Sequence, residues 1–199
     1  MRSKFLDIYE KFEETNIPER TVQSKAWFYK ELRNLKGISE KKILTDGELV
    51  RRNRILYGRM FMYGYDPKHA ETLEYYDTFP LIILMQGAKN GFYGINLHYL
   101  EPRFRALFFD ILVDFNIKDE IFDDNTRFRK LTYERLNTNR LARAFKPCFK
   151  HYLRGRIKTN LIMVPPKYWE MALFLPTDNF QKASRQTVWR DSRDQFRKS

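Results

Sequence analysis

One cysteine, three histidines and eight glycines are all that the 199 residues hold of the residue types on which many recurrent chemistries depend. Cys148 stands alone, so an intramolecular disulfide is impossible, a disulfide-stapled secreted design is excluded, and synthesis in a reducing cytoplasm is expected. The glycines form no GxxxxGK[ST], GxGxxG or GxSxG pattern, and HExxH and CxxC are absent as well. Of the histidines, His69, His98 and His151 lie in unrelated segments, and a metal site would need them to converge with carboxylates. No cofactor and no metal is expected; His98, between Leu97 and Tyr99, reads as a strand residue with a hydrogen-bonded ring. Long apolar runs are missing too. PLIILM and MALFLP fall far short of a membrane span, and the charged opening MRSKFLDIYEKFEETN has no signal-peptide core, so neither export by that route nor membrane insertion is expected. Internal repeats and low-complexity tracts are also absent.

What the chain does have is aromatic mass and positive charge. Hydrophobic residues make up 43%, including 17 Phe and 12 Tyr, enough apolar surface to offset the chain entropy lost on folding. Against 25 acidic residues stand 37 Lys and Arg, a net +12, which favours polyanionic partners and says little about fold. The length suits one domain with ordered arms.

Local patterns place the elements. Phe5, Ile8, Tyr9 and Phe12 recur at helical spacing before Pro18, and Trp27, Phe28, Leu32 and Leu35 give a second helix from about Val22, capped by Thr21 or Ser24. Lys41 to Arg54 reads as a basic loop, and Lys41 to Arg59 sums to +4, a second positive patch. Arg59 to Tyr65 reads as a strand. Phe79 to Gln86 and Phe92 to Leu100, separated by Gly87 to Gly91, read as a hairpin. Pro102 opens a helix whose Phe104, Leu107, Phe108, Ile111, Leu112 and Phe115 keep a helical period. Short helices are expected through Leu131, Leu136, Leu141 and Phe145 up to Pro147. A strand should follow over Ile157 to Val164, then a short helix at Tyr168 to Leu173. The predicted class is α+β: a small antiparallel sheet or partly open barrel packed by helices, with N-terminal helices and an extended C-terminal arm. The expected division is a docking segment at 1–40, a core at 41–177 and an arm at 178–199, the arm ordered by a partner. Trp27, Trp189 and Phe196 are its candidate docking residues.

Catalytic candidates are few. Asp119, Glu120, Asp123 and Asp124 are paired carboxylates of the kind that clamp Mg²⁺ across a phosphate, but they flank Ile121 and Phe122 in a linker and lack the D…ExK spacing of many nucleases. Cys148, between Lys146 and Lys150, has no base beside it in sequence and is assigned to core packing.

The densest charge lies elsewhere. Arg127, Arg129, Lys130, Arg135, Arg140, Arg143, Lys146, Lys150, Arg154, Arg156 and Lys158 face Glu134 alone, a segment of +10. A solvated face normally mixes signs because like charges repel. Lys and Arg at phosphate spacing release counterions and bind duplex DNA without reading sequence, so these eleven residues are the candidate nucleic-acid contacts. Phe128, Tyr133, Phe145, Phe149 and Tyr152, interleaved with them, either pack inward or stack on bases. The alternative for the cations is an acidic surface on a neighbouring protein subunit.

Several runs carry a resemblance: Gly58 to Tyr63 (GRMFMY), Tyr65 to Lys68 (YDPK), Tyr75 to Leu81 (YYDTFPL), Gly91 to Leu100 (GFYGINLHYL), Phe145 to Leu153 (FKPCFKHYL), Ala172 to Pro176 (ALFLP), Lys182 to Ser184 and Val188 to Ser192 (VWRDS). Over most of residues 50 to 195 the chain resembles virion proteins of T4-like tailed phages, the DNA end protector or head completion type. The resemblance implies a non-enzymatic virion protein at the head-to-tail channel, partnered by double-stranded DNA and by portal, neck or tail proteins. It brings no catalytic motif with it. A purely structural subunit and a Mg²⁺-dependent nuclease are the competing readings.

Overall fold

The computed structural model describes residues 3–36, 38–117 and 145–198. Within them the order is α1 (Lys4–Glu13), α2 (Val22–Leu32), α3 (Glu40–Leu44), β1 (Val50–Arg52), β2 (Met60–Met62), β3 (Tyr76–Asp77), β4 (Leu81–Ala88), β5 (Gly91–Asn96), α4 (Pro102–Ile117), β6 (Phe149–Leu153), β7 (Leu161–Val164), α5 (Trp169–Phe174), β8 (Phe180–Gln181) and α6 (Arg185–Lys198). The class is α+β, as expected. Six strands form one open antiparallel sheet in the order β1-β7-β2-β4-β5-β6, and β3 pairs with β8 in a separate ribbon.

Alternation along the central strands sorts side chains between two buried layers. Met60, Met62, Leu81, Ile83, Ile95, Ile162 and Val164 face the helices, in the cluster that also holds Phe5, Ile8, Phe12, Phe28, Leu32, Phe108, Leu112 and Trp169. Phe61, Tyr63, Ile82, Leu84, Phe92, Tyr152 and Leu161 face the other way, under the loops. Because both faces are covered, β4 reads as a continuous apolar run, and each fully buried Phe or Leu contributes about 1.5–3 kcal/mol. The hairpin turns at Lys89-Asn90, with Asn90 in the left-handed region (φ 62°). At Gly91 a Cβ would lie 1.9 Å from the Tyr152 carbonyl oxygen, so only glycine permits the close β5–β6 approach.

The helices close one face. Helix α1 is capped by Ser3, whose hydroxyl accepts from Leu6 N, and it packs inward: Phe5 and Tyr9 set their rings edge-on to Tyr168, and Phe12 meets Phe28. Helix α2 has a capping box between Thr21 and Ser24. The Ser24 hydroxyl and Arg20 N also donate to buried Glu170 at 2.7 and 2.9 Å, which fastens the start of α2 to α5. Helix α5 packs on both α2 and α4. Pro102 begins α4 as expected, and Phe108 stacks on Phe145 at 3.8 Å between ring centroids.

Three stretches differ from expectation. Lys41 to Arg54 is the helix α3 and the edge strand β1, not a loop. Phe149 to Leu153, to which the sequence assigned no element, is strand β6, because its backbone pairs with β5 from Gly91↔Leu153 to Ile95↔Phe149. The C-terminal stretch forms β8 and α6, with Val188 buried and Ser192 1% exposed. The helices expected through Leu131 to Leu141 lie outside the described residues.

Candidate nucleic-acid interface

The end of the sheet at β1 collects positive charge from two distant parts of the chain. Strand β1 pairs with β7 through Val50↔Met163, Arg51↔Ile162 and Arg52↔Leu161, and successive side chains on a strand point to opposite sides. Arg52 therefore lines one cleft, of about 550 Å³, together with Arg54, Tyr57 and Arg154. Arg51 lines a second, of about 600 Å³, with Lys158. Ile157, Thr159 and Asn160 belong to both, so the clefts adjoin along that ledge. Among the described residues neither is lined by a carboxylate.

Backbone hydrogen bonds hold the ledge in place. Arg154 N donates to Asn90 O at 3.0 Å, Asp66 N to Arg156 O at 3.1 Å and Lys158 N to Gly64 O at 2.8 Å, while Gly64 N donates to Thr159 Oγ1 at 2.8 Å. Tyr65 and Ile157 form an isolated antiparallel bridge. Of the cations, Arg156 and Lys158 reach Asp66 at 3.7 and 3.2 Å, exposed pairs of little worth in water. Arg51 donates to Leu44 O at 3.3 Å. Arg52, Arg54 and Arg154 are exposed, and among the described residues no carboxylate pairs with them.

Five of the eleven candidate contacts can be placed. Arg154 and Lys158 line the clefts, Arg156 sits at the turn beside them, and Lys146 is exposed on the turn that precedes β6. Lys150 is elsewhere: its ammonium lies 3.9 Å above the Tyr99 ring in a separate cavity of about 180 Å³, and burial pulls its pKa below the usual lysine range. Arg127, Arg129, Lys130, Arg135, Arg140 and Arg143 lie outside the described residues, as do Phe128, Tyr133 and the carboxylates Asp119, Glu120, Asp123 and Asp124. Arg51, Arg52, Arg54 and Tyr57 enter the site although the sequence marked only a general positive patch there; the RRNR run was the signal.

Those of the interleaved aromatics that lie among the described residues pack inward. Phe145 and Tyr152 are buried and Phe149 borders the core. Cys148 is buried, and burial pushes its thiol up to about 12, so it is a protonated packing residue at neutral pH. Trp27 is half-buried against Phe12 and Phe28. Trp189 donates its indole N–H to His98 O at 2.9 Å, with the guanidinium groups of Arg105 and Arg185 beside its ring. The side chain of Phe196 lies outside the described residues.

His98 has a hydrogen-bonded ring, as expected, although it sits in a one-turn 3₁₀ helix, Leu97–Tyr99, and not in a strand. Its Nδ1 lies 2.8 Å from Asp77 Oδ2 and its Nε2 3.1 Å from Thr177 Oγ1. In the neutral tautomer with Nδ1–H donating to Asp77, Nε2 accepts from the Thr177 hydroxyl. This hydroxyl–imidazole–carboxylate order is that of a nucleophile relay, but relays need a hydroxyl open to substrate, and His98, Asp77 and Thr177 are all buried. Asp77 also accepts from Phe79 N, Asn179 N and Asn96 Nδ2, so the group ties β3 and the 177–179 segment to the turn after β5. Beside it buried Arg105 donates to Leu100 O and Leu173 O and reaches Asp178, whose carboxyl it holds below the usual range against the opposing effect of burial. No three His, Cys, Asp or Glu among the described residues cluster as metal ligands, and no described helix is long and apolar enough to cross a membrane.

Fold and surface define an α+β protein that presents adjoining cationic clefts on one end of an open sheet. Its sequence places it more narrowly: the chain belongs to the family described as phage T4 terminal DNA protecting protein, whose family model matches residues 7–192. No curated protein and no solved structure matches the chain.

Proposed function

We propose that this protein binds and shields the end of packaged double-stranded DNA, without catalysing a reaction on it, as a virion component at the head–tail connector. The observation that carries the reading is the meeting of Arg51, Arg52 and Arg54 with Arg154 and Lys158 around two clefts that no carboxylate among the described residues lines. Clustered like charge weakens a fold, and a polyphosphate relieves the repulsion by replacing condensed counterions with protein cations. Binding of this kind reads backbone and not base sequence, as protection of any terminus requires. The family's description, terminal DNA protection, names the same ligand. Docking on portal, neck or tail proteins falls to the outer surfaces, where Trp27 and Trp189 are half-buried.

The test is affinity for blunt linear duplex across a salt series. Each phosphate neutralised contributes about −0.9 to the slope of log K against log[salt], so the triple variant Arg52→Ala, Arg54→Ala, Arg154→Ala should flatten the slope by about 2.7 while melting as the parent does. Undetectable or salt-independent binding overturns the proposal. So does Mg²⁺-dependent cleavage of the duplex that disappears when Asp119 and Asp123 are replaced.

A further inference from the structure

Lys150 is a cation in the wrong place for a surface contact. It projects from β6 into a cavity of about 180 Å³ walled by Tyr65, Tyr75, Tyr99 and Tyr152. Among the described residues no carboxylate pairs with it and no acceptor receives its three N–H donors; its ammonium lies 3.9 Å above the Tyr99 ring. A largely shielded ammonium is costly unless an acceptor completes it, and among the described residues none does. Asp77 borders the same cavity, yet its carboxylate already accepts from four donors and makes no ion pair with Lys150.

We propose that this cavity is a receptor for a phosphomonoester, held by Lys150 and the surrounding phenol hydroxyls, and that its source is the terminal phosphate of the bound DNA. The inference rests on the DNA-end reading above and adds the device by which an end is told from internal duplex. An internal phosphodiester carries one charge and is threaded by the chain on both sides. A terminal phosphomonoester carries about −1.5 to −2 and three free acceptor oxygens, and it can enter a pocket too small for a nucleotide. The cavity is also within reach of the clefts. His151 lines the cavity and Arg154 the first cleft, and their Cα atoms are at most about 11 Å apart. Tyr65, another wall residue, bridges to Ile157 on the ledge.

Two arms decide the matter. In the first, blunt duplexes carrying phosphate on the 5′ ends, on the 3′ ends or on neither are bound at constant ionic strength. The parent should prefer one phosphorylated end over the hydroxyl end by roughly tenfold or more, the worth of hydrogen bonds to a charged group. Lys150→Met should lose that preference, and Lys150→Arg should keep part of it. In the second arm, inorganic phosphate should raise the melting temperature of the parent and not of Lys150→Met. Without any ligand Lys150→Met should melt at or above the parent, since a largely shielded charge with no carboxylate partner among the described residues has been removed.

Duplex binding with a normal salt slope but equal affinity for phosphate and hydroxyl ends overturns the inference and leaves the proposed function standing. Loss of all duplex binding with phosphate stabilisation that depends on Lys150 overturns the proposed function and assigns the pocket to free phosphate. Parent and Lys150→Met responding alike in both arms removes the site altogether.

Discussion

Replacing Asp77 with Ala should be among the most damaging single changes in the protein, although Asp77 belongs to neither cleft. Its two oxygens accept from Phe79 N at 3.0 Å, Asn179 N at 3.4 Å, Asn96 Nδ2 at 3.1 Å and His98 Nδ1 at 2.8 Å, all within a region where His98 and Asn96 are fully buried. Alanine leaves these donors without an acceptor, each orphaned buried group costing about 1–3 kcal/mol, partly recovered by relaxation and entering water. With four donors affected, the loss is a large share of an ordinary domain's stability of about 5–15 kcal/mol. Asp77→Asn should recover only part of this, since its amide presents one acceptor oxygen and turns two donors toward groups that already donate. Urea unfolding followed by tryptophan fluorescence suits the measurement, because Trp189 is bonded to His98 O and reports on the same region. A loss below about 1 kcal/mol with an unchanged m-value would refute the claim that this network fastens the β3–β8 ribbon to the sheet.

Tyr63 offers the opposite sign. Its hydroxyl is buried with no hydrogen-bond partner among the described residues, so Tyr63→Phe should stabilise by about 1 kcal/mol, read as a shift of the urea midpoint; a comparable destabilisation would mean that the hydroxyl has a partner after all. Burial also holds the phenol groups of Tyr63, Tyr99 and Tyr152 above their ordinary pKa. A raised folded pKa means that stability is intact below the unfolded value near 10 and falls as pH rises through it, because the unfolded chain releases protons that the folded chain keeps. Each of the three costs about 1.4 kcal/mol per pH unit beyond 10, so roughly 4 kcal/mol should be gone at pH 11, and equal urea midpoints at pH 9 and 11 would contradict it.

The parts of the fold legible in the sequence were those in which one physical signal dominated. Apolar runs with no charge gave β2, β4 and β5, the Lys89-Asn90 turn gave their hairpin, and Pro102 with a helical apolar period gave α4. Strand β6 was hidden because Lys150 and His151 interrupt its apolar pattern; pairing with β5 and the close approach at Gly91 make it a strand, and those are contacts with residues about sixty positions away. Strand β1 was hidden because VRR looks like a polar loop until β7 supplies a partner. Helix α6 carries apolar residues only at wide spacing, and Val188 and Trp189 find their partners in the turn after β5, which nothing local announces.

The candidate site was legible as charge and illegible as shape. A run of cations reads the same whether it lies on one face, winds round a helix or projects from an arm, and the sequence grouped Lys150 with Arg154 when the fold sends one under the sheet's loops and the other into a cleft. What separates them is register: within β6 Tyr152 is turned to the buried layer, and the chain leaves the strand at Leu153 into the 3₁₀ turn that carries Arg154 outward. That turn is held from two sides, by Asn90 and by the 64–66 segment, so the backbone bearing the cleft cations is fixed before any ligand arrives. A basic tail of equal charge would lose backbone entropy on binding, about 1–2 kcal/mol for every residue ordered, whereas here only the side chains remain to be ordered. The same cations on a fixed ledge therefore bind a backbone of fixed phosphate spacing more tightly than they would on a tail, at equal dependence on salt. Freeing the ledge with Thr159→Ala, which removes the hydroxyl that receives Gly64 N, should accordingly weaken duplex binding while leaving its salt slope unchanged.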